Sequence, residues 1–325
     1  MKAAAPIVLP NVSERRHVHI INPNAGSRKF YSAAVSAIEK SGEERLESTS
    51  GEHLRNLVSE LFRRDPFAHA IVYGGDGSVY EAVNGIMESG AAATASFSVF
   101  PAGSGNDFST FANDKAGFKK AELNKIDLIS VSHGGKRDYF ANMMNIGFDC
   151  AVVKETYTLK KKPFLKGPAA YIAGVLKVLA VKKTIPAKIK LSGVVSLDKK
   201  APQGDIIEEK NILLTACANG RYCGGGFNAA SLAMLNDGLM DVLVVNDVSR
   251  AKFISIVGNY KKGDYISEDG SMRSSFKNVI DYYKCRRMEI VGPEMICLDG
   301  EVIETGREEA VVAEVHPGAV WFAAI

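Results

Sequence analysis

Cysteine is scarce in this chain. Among 325 residues there are five, Cys150, Cys217, Cys223, Cys285 and Cys297, odd in number and widely spaced. No C-x-x-C occurs, which argues against a disulfide framework or a zinc site and fits a reducing compartment. The six histidines form no cluster. Long apolar runs are missing as well. The best, Ala169 to Val181, contains Lys177 and falls short of the roughly 18–20 residues of a membrane span. Met1 to Pro10 has Lys2 as its only positive residue and no clear cleavage site, so residues 1–16 are read as a disordered tail rather than a secretory signal. The charge of one sign is small: 40 Lys and Arg against 37 Asp and Glu leave +3. With 46% hydrophobic and 24% charged residues, this is the balance of a globular protein, and the length suggests two domains.

What is present alternates. His17–Ile21 reads as a strand running into the loop Asn22-Pro-Asn-Ala-Gly26. Helices are predicted over 31–40, and over 52–64, where Leu54, Leu57, Val58, Leu61 and Phe62 share a face and Asp65-Pro66 ends it. The strand predicted over 68–73 enters Gly74-Gly-Asp-Gly77, and a helix is predicted from 79 to 87. A further strand over 97–100 enters Pro101-Ala-Gly-Ser-Gly-Asn106. Strands alternating with helices predict a parallel sheet covered on both faces. Beyond about residue 130, strands are predicted over 139–146, 188–197, 211–218 and 239–245, with helices over 168–181 and 250–261. This half reads as mostly antiparallel β.

Two glycine-rich turns therefore each follow a strand, where open α/β sheets bind ligands. Gly74, Gly75 and Gly77 let backbone approach a phosphate, the next helix adds its positive end, and Ser78 adds a hydroxyl. Neither turn is G-x-G-x-x-G, and there is no G-x-x-x-x-G-K-[ST]. An isolated G-G-x-G is as often a plain tight turn; a second such loop one βα unit later favours the phosphate reading.

Taken in order, Asn22 to Gly26, Gly74 to Ser78, Glu81 with Asn84-Gly85, Pro101 to Phe108, Asn219-Gly220 with Gly224 to Gly226, Asp237-Gly238 and Asp299-Gly-Glu301 resemble the diacylglycerol kinase catalytic-domain family, in particular its bacterial soluble lipid kinases related to sphingosine kinases. The resemblance runs from about His17 to the C-terminus. It implies an α/β fold with an N-terminal three-layer nucleotide-binding domain, residues 17–130 with a returning segment 307–325. It also implies a C-terminal, predominantly antiparallel β-sandwich domain, residues 131–306, that receives the lipid. The chain departs from the family at Ser78 and Ser104, where threonine is usual; both keep a hydroxyl.

The resemblance also implies roles. Asn22, Gly26, Gly74, Gly75, Asp76, Gly77, Ser78, Glu81, Gly103, Ser104, Gly105 and Asn106 would bind the nucleotide. Asp76 would also reach Mg²⁺, and Asp107 and Asp127 match acids that are more often supporting. Asp299 would be the general base toward the acceptor hydroxyl, and Glu301 would bind metal or tune it. A strand continuing through Gly300 would put both side chains on one face, whereas Asp-Gly alone reads as a hairpin turn. Asp237, with the carbonyls of Met234 and Leu239, would hold a structural Mg²⁺; a metal-free turn is the alternative.

The expected activity is ATP-dependent phosphorylation of a lipid hydroxyl, with diacylglycerol to phosphatidic acid leading. Sphingoid bases or other lipids, a NAD-kinase-like activity, and a nucleotide-binding regulator without catalysis are the alternatives. The +3 hides one more feature. From Thr156 to Leu197 there are nine lysines and no Arg, Asp or Glu, so this segment carries +9 and the rest −6. Lys160, Lys161, Lys162 and Lys166 with Phe164 and Leu165 suit an anionic membrane surface; a solvated lysine face is the plain alternative. The partners expected are ATP, the lipid at that surface and a second copy in a homodimer, not nucleic acid. The location expected is cytoplasmic with reversible membrane association.

Overall fold

In the computed structural model of the chain, the residues described are 9–160, 168–181, 183–198 and 201–325. The first part follows β1 (His17–Ile21), α1 (Arg28–Ser41), β2 (Glu44–Glu47), α2 (Gly51–Arg64), β3 (His69–Gly74), α3 (Asp76–Ser89), β4 (Ser96–Pro101) and α4 (Asp107–Asp114). These strands form a parallel sheet in the order β4-β3-β1-β2. Serines cap two of its helices: Ser27 accepts from the Phe30 amide at α1, and Ser50 from the His53 amide at α2. On α2, Leu54, Val58, Leu61 and Phe62 bury one face, packing with Val18, Val72, Val83 and Phe97 into the domain's core.

The second part follows β5 (Leu123–His133), β6 (Lys136–Phe140), β7 (Met143–Gly147), α5 (Phe148–Lys160), α6 (Pro168–Val181), β8 (Ile185–Ser192), β9 (Ile206–Ala218), β10 (Tyr222–Cys223), β11 (Phe227–Asn228), β12 (Met240–Asn246), α7 (Arg250–Lys262), β13 (Ile280–Cys285), β14 (Arg287–Val291), β15 (Met295–Leu298), β16 (Glu301–Glu304) and β17 (Val311–Ala323). All strand pairs within this part are antiparallel. One core lies inside the sandwich, with Ile129, Phe140, Ile189, Met240 and Met288. Another lies outside it, where α5, α6 and α7 cover the sheet around Leu213, Leu243, Tyr265 and Phe276.

Strand β17 joins the halves. It runs antiparallel to β14 and β5, breaks register between His316 and Val320, and ends parallel to β4, with Trp321 opposite Ser96 and Phe322 opposite Phe97. Phe322 is fully buried against Phe97 and Phe108. A single sheet thus runs through both parts.

Several expected elements differ. The strand expected over 139–146 is two, β6 and β7, because Ala141 and Asn142 turn out of the ladder. The strand expected to reach 197 ends at Ser192. The helix expected from 79 begins at Asp76, directly after Gly75. Strand β2 and helix α4 were not expected, and β5 crosses the boundary placed near residue 130.

Candidate active site

Three loops meet at the carboxyl edge of the parallel sheet: Asn22–Ser27 after β1, the β3–α3 turn, and Ala102–Asn106 after β4. The Asn22 amide donates to Tyr73 O, and its side-chain Nδ2 lies 3.4 Å from Ser78 Oγ. A methyl group built at Gly26 would lie 3.0 Å from Ala102 O. The β3–α3 and β4–α4 loops cross so closely that a methyl at Gly75 would sit 2.8 Å from Gly103 Cα, and one at Gly103 only 2.4 Å from Gly75 Cα. No other residue fits either position. The Asn106 side chain pins the second loop: its Oδ1 accepts from Gly103 N at 2.7 Å, and its Nδ2 donates to Gly103 O at 2.9 Å. Ser104 is exposed at the tip. The result is a backbone cradle at the N-terminus of α3, which fits nucleotide phosphates.

Asp76 opens α3 and accepts from Phe108 N at 3.0 Å. Burial raises its pKa, which those backbone donors partly counter. Asp107 opens α4 and reaches across to the second domain, accepting from Gly225 N at 2.9 Å and Gly226 N at 2.8 Å. Burial, then the charge of Asp76, pushes it up to about 6.

Opposite stands Asp299. It is buried, and the amides of Ala141, Asn142 and Met143 donate to its carboxylate at 2.7–3.4 Å. Burial outweighs these donors and, with Asp76 adding to it, pushes Asp299 up to about 7. No strand continues through Gly300. Asp299 (φ 46°) and Gly300 (φ 97°) form the two-residue turn between β15 and β16, as both positive φ values require. The side chains diverge accordingly: Asp299 folds back onto the 141–143 amides, while Glu301 Oε1 approaches Gly77, 2.9 Å from where a methyl there would stand. Burial, then Glu81, raises the Glu301 pKa.

Glu81 turns away from the cradle. Its carboxylate is paired with Arg55 on α2 at 2.6 Å. Nor does the Asp237 turn fit a structural cation. Lys284 Nζ lies 3.1 Å from Asp237 Oδ2 and 2.8 Å from Asp241 Oδ2, all three side chains at 5% exposure or less. The other Asp237 oxygen accepts from Leu239 N. The one carboxylate of the site expected from Met234, Asp237 and Leu239 is therefore already paired with an ammonium, and a divalent ion on it would face that charge at close range. At the cradle, no group of three or more His, Cys, Asp or Glu among the described residues is arranged for a metal.

Lys161, Lys162, Phe164, Leu165 and Lys166, and the side chain of Lys160, lie outside the described residues. Within the basic segment, Lys177 pairs with Glu155 and Lys188 with Glu209. Sequence reasoning missed Asn142, which ties the 141–143 amides to Tyr222 O, and Asn84, whose side chain donates to Tyr139 O and accepts from Tyr139 N. The Asn84-Gly85 pair was a signal for the second; nothing marked Asn142.

Comparisons with known proteins agree with this architecture. The diacylglycerol kinase catalytic domain matches residues 16–134, and the YegS C-terminal NAD kinase beta sandwich-like domain matches residues 142–324. A "Probable lipid kinase YegS-like" protein of Shewanella frigidimarina is 29% identical over 63% of this chain and 62% of its own. One of the same name from Stenotrophomonas maltophilia is 30% identical over 55% of this chain and 56% of its own. The chain thus spans less than two thirds of the length of these two curated relatives. A solved structure of a diacylglycerol kinase from Bacillus anthracis str. Sterne superposes with a TM-score of 0.61 at 19% identity, covering 96% of this chain and 97% of its own, which shows a shared fold.

Proposed function

Because the chain belongs to the family that joins a diacylglycerol kinase catalytic domain to a YegS C-terminal NAD kinase beta sandwich-like domain, we propose that it is an ATP- and Mg²⁺-dependent lipid kinase, with diacylglycerol as acceptor and phosphatidic acid as product. The observation that carries the reading is Asp299. It is a buried carboxyl raised to about 7, facing Asp76 across a cradle of crossed glycine loops. A base that titrates near neutrality can take the proton of an alcohol as the alcohol attacks.

In this reading Gly75, Gly77, Gly103 and Gly105 leave room for phosphates against bare backbone. Ser78, Ser104, Asn22 and Asn106 offer or orient polar groups. Gly26 and Gly74 shape the neighbouring turns. Bound ATP supplies the phosphoryl group and its Mg²⁺ the countercharge, with Asp76 the carboxylate that would reach it. Asp299 takes the acceptor proton. Glu301, beside Gly77 and turned away from Asp299, would help hold the ion when it is bound. The enzyme works on the cytoplasmic face of a membrane that it joins and leaves. Among the described residues no helix is long and apolar enough to cross one.

The test is transfer of labelled phosphate from ATP into a panel of lipids in mixed micelles, with sphingoid bases and soluble acceptors such as NAD alongside. Label in diacylglycerol is the expected result; label only in a soluble acceptor overturns the lipid assignment. Asp299→Asn is expected to lower transfer by about 10²–10⁴-fold while ATP still binds.

A further inference from the structure

The two acids on opposite sides of the cleft are joined by a continuous set of short contacts that runs through the β10–β11 hairpin. From Asp76, the path leads to the N-terminus of α4, where Phe108 N donates to Asp76. Gly105 lies between the carboxylates of Asp76 and Asp107: a methyl built on it would be 2.8 Å from one and 3.3 Å from the other. Asp107 then grips the tip of the hairpin through both of its oxygens, on the amides of Gly225 and Gly226. Gly224, Gly225 and Gly226 have φ of 59°, 79° and 104°, and nothing crowds the last two. They are glycines because the backbone must turn its amides toward one point, an arrangement that suits an anion.

The far side of the hairpin leads to Asp299. Tyr222 O accepts from Asn142 Nδ2 at 2.9 Å, and Asn142 O accepts from Asn219 N and Gly220 N. The Asn142 amide itself donates to Asp299, between those of Ala141 and Met143. The hairpin is braced on α4 a second time, by Tyr222 edge-on to Phe111 and by Lys115 Nζ on the Tyr222 hydroxyl at 3.0 Å. Asp107 and Asn142 are both buried.

We propose that Asp107 and Asn142 are positioning residues that set the spacing of Asp76 and Asp299 across the cleft through the β10–β11 hairpin. The proposal rests on the kinase reading for its consequence but not for its geometry. Each substitution breaks one joint of the same connection, so its effect should appear at the other end.

Hydrogen–deuterium exchange on the full chain tests the geometry. In Asp107→Ala, amides of 222–228 should exchange faster, and so should those of 139–144, which Asp107 does not touch. Phosphoryl transfer to a dispersed short-chain diacylglycerol tests the consequence. Turnover should fall about tenfold or more with ATP affinity unchanged, and Asp107→Glu should recover part of it. Asp107→Ala with Asn142→Ala should cost no more than the worse single variant, because both act on one connection. Faster exchange confined to 222–228, or losses that multiply in the double variant, would overturn the proposal. If Asp107→Ala does not fold, Asp107→Asn, which keeps one acceptor oxygen, carries the same exchange test. A wild-type chain that phosphorylates no lipid would sink the kinase reading and leave the exchange result to decide the connection.

Discussion

Asp299 is subject to opposed influences. Three backbone amides favour its charge, while burial and the neighbouring Asp76 oppose it, and burial is the largest of them. The folded carboxyl therefore titrates near 7, against an ordinary value of 3.8. The native state holds a proton that the unfolded chain has already lost between those values, so this group's contribution to stability is full below about pH 4 and declines as pH rises through about 7. Asp107 and Asp149, both raised by burial to about 6, act in the same direction. In its proposed role as base, Asp299 would act with the opposite sign, because it must be ionised to take a proton. Urea unfolding from pH 4 to 8 is expected to show falling stability, with a shallower slope in Asp299→Asn. The transfer rate should rise with an apparent pKa near 7. A flat rate across that range would exclude Asp299 as the base. The residue itself was legible from Asp-Gly-Glu. Its turn was half legible, since Asp-Gly is hairpin chemistry, but its environment was not: the amides that hold it come from 156 to 158 residues earlier.

Among elements, the first three helices were legible because each repeats apolar residues at helical spacing; serines cap α1 and α2, and Gly75 precedes α3. Helix α4 was not. Its eight residues pack Phe108 and Phe111 inward from a start set by Asn106 in a left-handed conformation, and so short an element has little periodicity to read. Strand β2 is four residues with three charges, exposed or half-buried throughout, and without alternation. The Asp237 turn shows a different limit. Its sequence is compatible with a metal site, and what decides against one is Lys284, brought alongside by the pairing of β12 with β13, in which Asp241 faces Lys284. A buried ammonium between two buried carboxylates leaves uncompensated charge when it is removed. Lys284→Met is therefore expected to cost about 3–5 kcal/mol, read by urea unfolding. The wild-type thermal midpoint without nucleotide should be the same in chelator and in millimolar Mg²⁺. A saturable rise with Mg²⁺ would show that the turn takes the ion despite the lysine.

At the scale of the whole molecule, charge is divided as sharply as fold. The basic segment carries +9 and the remainder −6, yet not all of that excess is free to act at a distance, because Glu155 and Glu209 neutralise Lys177 and Lys188. Helix α6 lies within the segment and holds Leu176 and Val181 more than half exposed. Arg250 is fixed to its C-terminal end by bonds to Leu179 O and Ala180 O. From apolar side chains in water beside cations, binding to an anionic lipid surface is expected, by apolar burial and by about 1 kcal/mol for each basic residue near it. The two contributions respond differently to conditions. The ionic one fades as salt shortens the screening length to about 10 Å at 0.1 M and about 3 Å at 1 M, while the apolar one does not. Flotation with vesicles is expected to show binding that grows with the anionic lipid fraction and falls, without vanishing, as salt rises. Leu176→Glu should remove the salt-resistant part while leaving turnover of a dispersed short-chain acceptor intact. Equal binding to neutral and anionic vesicles would mean that the lysines form a solvated face, and that the segregated charge gives no help in reaching the proposed lipid substrate.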